Sequence, residues 1–218
     1  MKMSAAKHIS SFHYLTQYMP SCSHAELADK ACRGGVEWVQ LRVKNVPLDA
    51  WKKIAEEVKN VCNKYNAKLI INDHVLLATE VKADGVHLGK EDMAVKKARK
   101  ILGAKAIIGG TANTAEDILR LQDEGADYVG LGPLRFSSTK EKLSPLLGID
   151  GIKKIMKSLE GKLLIPVIAI GGVGITDVER FKQSGIRGIA VSSSVNFAAE
   201  PTYAVKAFLK KIQTENCF

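Results

Sequence analysis

Apolar runs rich in β-branched residues recur along the chain, each separated from the next by a stretch of helical period or by a loop. They cover Tyr14–Thr16, Val36–Leu41, Leu69–Ile71, Gly85–Leu88, Ala106–Ile108, Tyr128–Leu131, Pro166–Ile170 and Gly188–Val191, which makes eight candidate strands. Three intervening segments open on a capping signal, an acceptor side chain followed three residues later by a carboxylate: Ser23 with Glu26, Thr114 with Asp117, and Thr176 with Glu179. A weak internal repeat supports the alternation. Gly34-Gly35-Val36, Ala83-Asp84-Gly85-Val86, Gly125-Ala126-Asp127-Tyr128 and Gly185-Ile186-Arg187-Gly188 set a small turn element before every second strand. A glycine that ends a helix in a left-handed conformation and drops the chain into a buried strand explains that pattern. Four paired units predict an α/β protein folded as a single (β/α)8 TIM barrel, with a doubly wound open sheet as the alternative. No linker or composition shift divides the chain, so residues 1–218 are read as one domain with its core at roughly 12–212.

Composition narrows the class. A chain of 218 residues with 46% apolar and 25% charged residues suits one barrel and not a disordered segment. The longest apolar stretches, such as Leu163–Ile170 with its Pro166, fall well short of the ~20 residues a membrane span needs. Lys2, Lys7 and His8 come without the apolar run of a signal peptide, which makes a cytoplasmic location the expectation. Cys22, Cys32, Cys62 and Cys217 lack zinc-site spacing and read as reduced thiols. The net charge of +9 suits an anionic ligand. Its densest run, Lys96, Lys97, Arg99 and Lys100, has no interleaved aromatics and reads as a solvated helix face, not a nucleic-acid patch.

Polar residues at the carboxyl ends of buried strands need a reason, and in a parallel barrel those ends form the active face. After the second strand, Gln40, Arg42 and Lys44 alternate with Leu41 and Val43, which points the polar groups to one side of an extended backbone. Arg offers phosphate a planar fork and Lys a compact charge. Asn72-Asp73 end the third strand and Glu91-Asp92 follow the fourth; two such carboxylates could share Mg²⁺ with substrate phosphate oxygens, or Asp73 could simply cap a helix. The sixth strand leads through Gly132-Pro133 into the long polar loop Arg135-Phe136-Ser137-Ser138-Thr139-Lys140, which runs to Gly148. Gly171-Gly172 and Ser192-Ser193-Ser194 end the last two strands, where barrels commonly bind phosphate through backbone N–H groups. His87 reads as a hydrogen-bonded interior residue, and Trp38 and Trp51 as packing residues.

From Tyr14 to about Ala207 these pieces resemble the thiamine phosphate synthase family, TIM-barrel enzymes of vitamin B1 synthesis. The resemblance is carried by Gln40-Leu41-Arg42-Val43-Lys44, Asn72-Asp73, Ala83-Asp84-Gly85-Val86-His87-Leu88-Gly89 leading to Asp92, Gly130-Leu131-Gly132-Pro133 leading to Thr139-Lys140, and Ala169-Ile170-Gly171-Gly172. It implies a transferase that joins a hydroxymethylpyrimidine diphosphate to a thiazole phosphate and releases pyrophosphate. It also implies roles. Gln40, Arg42, Lys44, Asn72, Thr111 and Lys140 would hold the pyrimidine diphosphate, with Leu41 and Val43 in the same substrate-binding run and Arg42, Lys44 and Lys140 acting in catalysis. Asp73 and Asp92 would hold Mg²⁺, and Ser137, Ser138, Thr139, Gly172, Ser192 and Ser193 the thiazole phosphate.

The chain departs from the family pattern at Thr111-Ala112-Asn113, where serine and then histidine are usual, at Lys90 in place of glutamine, and at Arg135-Phe136. The expected partners are small-molecule substrates, with no nucleic acid or membrane, and a homo-oligomer is compatible with the reading. Two alternatives stay open: a thiazole tautomerase of the same superfamily, and a non-catalytic thiamine-phosphate-binding regulator.

Overall fold

The computed structural model describes residues 7–136, 145–215 and 218. Among them eight parallel strands close into a barrel in chain order, with the first paired to the eighth, which rules out the open sheet. The strands are β1 (Phe12–Leu15), β2 (Trp38–Leu41), β3 (Lys68–Asn72), β4 (Gly85–Leu88), β5 (Ile107–Ala112), β6 (Tyr128–Leu131), β7 (Val167–Ala169) and β8 (Gly188–Val191). Helices α1 (His24–Arg33), α2 (Leu48–Lys64), α3 (Val75–Glu80), α4 (Val95–Leu102), α5 (Ala115–Asp123) and α6 (Gly148–Ser158) follow the first six strands in turn. After β8 come the short α7 (Ser193–Asn196) and the closing α8 (Pro201–Glu215). None of the described helices is long and apolar enough to cross a membrane.

Two of the three capping signals form as reciprocal boxes, Ser23 with Glu26 on α1 and Thr114 with Asp117 on α5. The third does not. Thr176 caps nothing; Gly174 opens the turn, its N–H donating to Asp177 at 2.8 Å, and two 3-10 turns (Ile175–Asp177 and Glu179–Phe181) stand where a helix was expected. The glycine repeat also has an exception. Gly35, Gly125 and Gly185 are left-handed as expected, but before β4 that conformation falls to Lys82, at φ 52°. Gly85 is needed for space instead, since a Cβ there would lie 2.0 Å from the Ile107 carbonyl oxygen.

Two apolar layers result. The larger lies between strands and helices and takes in Tyr14, Leu41, Val43, Leu69, Val86 and Phe181. The smaller fills the barrel with Trp38, Ile70, Ile107, Tyr128, Ile168 and Ala190. His13 stacks on Trp38 at 4.3 Å between ring centroids, and burial, with the neighbouring His87 assisting, lowers its pKa to about 3. Toward the carboxyl ends the interior turns polar, with Gln40, Asn72, His87 and Thr111 all buried. Cys32 and Cys62 are buried free thiols pushed up to about 12 by desolvation, which suits packing and not chemistry; Cys217 lies outside the described residues.

The opposite rim explains the Ala-Asp pairs of the repeat. Asp84, just before β4, accepts from Leu69 N–H at 3.0 Å and from Lys59 and Lys68 at 3.1 and 3.0 Å. Asp127, just before β6, accepts from Ile108 N–H at 2.7 Å and from Lys7 and Arg99 at 2.8 and 2.7 Å. Each acid ties the start of the preceding strand to its own turn.

Candidate active site at the carboxyl ends of the strands

The loops after β2, β3 and β4 enclose a cleft of about 330 Å³ lined by Val43, Lys44, Asn45, Val46, Trp51, Asp73, His74 and Asp92. Three of its polar groups come from three different strand ends. The Lys44 ammonium donates to Asp73 Oδ2 at 2.5 Å. Asp73 sits in the left-handed region at φ 67° and its N–H donates to the His87 carbonyl at 2.8 Å, which aims the residue away from the helix that follows. The helix cap is His74, whose Nδ1 accepts from Leu77 N–H at 3.0 Å, so Asp73 is not the N-cap. Asp92 accepts from Gly89 N–H at 2.6 Å. Burial, and then a hydrogen bond shared with Asp73, push the Asp92 carboxyl up to about 6, while Gly89 and Lys44 pull the other way.

Two carboxylates brought together beside a single ammonium are short of positive charge. A hard divalent cation would relieve both, so the donor set fits one. No group of three or more His, Cys, Asp or Glu side chains able to hold a metal occurs among the described residues. A cation here would therefore keep open positions for water and phosphate oxygens.

Of the expected β2 residues, Gln40 is buried inside the barrel beside Tyr128. Arg42 leaves the strand at the mouth, its N–H on Thr16 Oγ1 at 3.2 Å. Leu41 and Val43 point into the outer apolar layer, which leaves only their backbone to a ligand. Asn72 is buried at the end of β3. Thr111 is bridged to His87, Oγ1 to Nε2 at 3.0 Å, and the other ring nitrogen of His87 meets the Tyr128 hydroxyl at 3.0 Å, as an interior histidine should. Trp51 packs against the outer apolar layer as expected, and it also forms a wall of the cleft against His74, with centroids 5.2 Å apart. Its place on the first turns of α2 gave no separate signal.

On the other side of the mouth, Asn113 uses its side-chain amide to donate to the Gly132 carbonyl just before the cis Pro133, tying the ends of β5 and β6. Lys90 pairs with Asp117 at 2.6 Å. Arg135 grips both oxygens of the buried Asp177 at 2.5 Å. Burial would raise the Asp177 carboxyl, but Arg135 and Gly174 N–H hold it below its ordinary value. Gly172 is left-handed at φ 72° in the turn after β7. The Ser192 hydroxyl turns to β1, donating toward the Leu15 carbonyl and Gln17 at 3.0 and 2.8 Å, while Ser193 opens α7. Ser137, Ser138, Thr139 and Lys140 lie outside the described residues.

Known proteins resemble this chain closely. The family model described as thiamine monophosphate synthase matches residues 15–195. The thiamine-phosphate synthase of Phocaeicola vulgatus is 41% identical over 197 residues, covering 90% of this chain and 95% of that protein. The thiamine-phosphate synthase of Flavobacterium johnsoniae is 45% identical over 184 residues, covering 84% and 87%. Among solved structures, the thiamine phosphate pyrophosphorylase of Pyrococcus furiosus superposes with a TM-score of 0.81 at 29% identity, covering 94% of this chain and 96% of that one.

Proposed function

The chain belongs to the thiamine monophosphate synthase family, and from that premise we propose that its barrel mouth joins a hydroxymethylpyrimidine diphosphate to a thiazole phosphate, yielding thiamine phosphate and pyrophosphate. The observation that carries the site assignment is the convergence of Lys44, Asp73 and Asp92 from three strand ends in one cleft.

The chemistry asks for little else. The carbon–oxygen bond breaks with its electron pair leaving on pyrophosphate, and the aminopyrimidine ring stabilises the methylene cation that remains. The thiazole nitrogen then supplies its lone pair to form the new carbon–nitrogen bond. No side chain need act as nucleophile or deprotonate the acceptor. Arg42 and Lys44 hold the leaving diphosphate by charge and geometry, with Lys140 as a third cation from the β6 loop. Asp73 and Asp92 would hold Mg²⁺, which when bound stabilises negative charge on the leaving oxygens. Buried Gln40 and Asn72 offer the neutral donors and acceptors that orient a pyrimidine. On the far side, Gly172 and Ser193 would receive the monophosphate of the acceptor, together with Ser137, Ser138 and Thr139. The Thr111 and Ser192 hydroxyls, also in the assigned set, already have protein partners and act by fixing their surroundings unless a ligand redirects them.

The site favours a diphosphate clamp over the proton shuttle a tautomerase needs. Mass-spectrometric detection of thiamine phosphate from the two precursors, with and without Mg²⁺, tests the reading. Product and pyrophosphate should appear only with both substrates and the metal; neither, from well-folded protein, would leave a binding role.

A further inference from the structure

The turn after β7 sorts its backbone groups by polarity. The Ile170 and Gly171 carbonyls accept from the N–H groups of Leu134 and Arg135, each at 2.9 Å. The Gly172 carbonyl accepts from Arg135 Nη1 at 3.0 Å, and the Val173 carbonyl from Ser194 Oγ at 2.6 Å. Four successive carbonyls are thus engaged. On the donor side, Ile170 N–H goes to the Leu131 carbonyl and Gly174 N–H to Asp177. The N–H groups of Gly171, Gly172 and Val173 have no acceptor among the described residues. Three consecutive donors with their carbonyls tied elsewhere suit an anion.

Arg135 holds two of the four carbonyls. Its backbone N–H takes one carbonyl and its guanidinium the next, and the guanidinium is itself fixed by both oxygens of Asp177, a side chain only 1% exposed. A planar fork can make those bonds together; a lysine ammonium cannot reproduce them. With Asp177 and a carbonyl already on it, the guanidinium is a structural strut and not a free cation.

The geometry points to Arg135 as a positioning residue for the acceptor's monophosphate: anchored on Asp177, it holds the Gly171–Gly172 turn with its N–H groups available, without touching the phosphate. This rests on reading that turn as the monophosphate subsite. It also assigns a task to Arg135, one of the residues at which the chain departs from the family pattern.

The test is steady-state pyrophosphate release by the full chain, each substrate varied in turn, for wild type, Arg135→Gln, Arg135→Lys, Asp177→Asn and the Arg135→Gln/Asp177→Asn double variant. Equilibrium binding of thiazole phosphate to the same proteins runs alongside. Arg135→Gln and Asp177→Asn should each raise the KM for thiazole phosphate by about tenfold, equivalent to ~1.4 kcal/mol. Turnover and the KM for the pyrimidine diphosphate should stay within about twofold of wild type. The double variant should be no worse than the worse single, because both changes remove one device. Arg135→Lys should recover part of the loss. Three results overturn the inference: an unchanged thiazole phosphate KM in Arg135→Gln; a rise in Arg135→Gln with none in Asp177→Asn, which would make Arg135 a direct phosphate ligand; or equal rises in both KM values, which would mean general loosening of the mouth. A wild-type protein that releases no pyrophosphate would sink the functional reading instead, and the binding comparison would still decide the role of Arg135.

Discussion

At the amino ends of the strands, Asp84 and Asp127 each accept from one backbone N–H and two basic side chains. At the carboxyl ends, Asp73 and Asp92 have a single lysine between them among the described residues; burial first, and then the neighbouring Asp73, push the Asp92 carboxyl up to about 6 against the pull of the Gly89 N–H and Lys44. The residue types are the same and the outcomes opposite. An acid with its full set of donors has no use for a ligand and serves to lock strands together. An acid crowded by another acid is improved by an incoming cation, and its discomfort in the free protein is what binding relieves. Stability is therefore expected to reside at one rim and chemistry at the other.

Substitutions can break that division. The largest effect should follow Arg42→Ala, which removes a proposed donor to the departing diphosphate: turnover should fall by about a hundredfold or more, as for the loss of ~3 kcal/mol of transition-state stabilisation, while the thermal midpoint barely moves. Near-normal pyrophosphate release would take the clamp out of the mechanism. Asp127→Ala at the opposite rim should do the reverse. It strands the Ile108 N–H and two cations, so unfolding in urea should show a loss of about 2 kcal/mol with turnover per folded molecule intact. A drop in specific activity without a drop in stability would contradict the division.

The interior between the rims gives the next effect. Folded His13 takes up its proton only near pH 3, whereas the unfolded chain takes one up near pH 6.5. Below 6.5 the unfolded state binds more protons, so stability falls on acidification, by about 1.4 kcal/mol per pH unit down to the folded value. His13→Leu should flatten the slope of stability against pH by that amount, and an unchanged slope would show that the ring is hydrated. The smallest effect is expected for Lys68→Ala. Its partner Asp84 keeps Lys59 and the Leu69 N–H, and the lysine side chain is 50% exposed, so the loss should stay below about 1 kcal/mol in the same denaturation experiment.

Much of this was legible in the sequence, for a physical reason. Strands covered on both faces must be apolar, so the places where polarity returns, at Gln40, Asn72 and Gly171, mark the ends that face solvent and ligand. Capping boxes were readable at Ser23 and Thr114 because both partners lie within one turn. Thr176 misled because the carboxylate that sets its turn, Asp177, answers to Arg135, 42 residues earlier in the chain. No local pattern encodes such a pair. Likewise His74, not Asp73, caps α3, because a left-handed backbone at Asp73 shifts the cap by one residue. Residues implied by resemblance, such as Ser192, carry no statement about which way a hydroxyl turns, and only the fold shows it facing β1.

The two tryptophans sit in very different surroundings. Trp38 is sealed inside the barrel, fully buried, while Trp51 forms a wall of the cleft beside His74. Intrinsic emission should therefore divide into a blue-shifted background that ignores ligands and a second component that answers to whatever enters the mouth. Titration of the native chain with pyrimidine diphosphate becomes an optical measurement that needs no dye, and Trp51→Phe should silence the response while leaving the background in place.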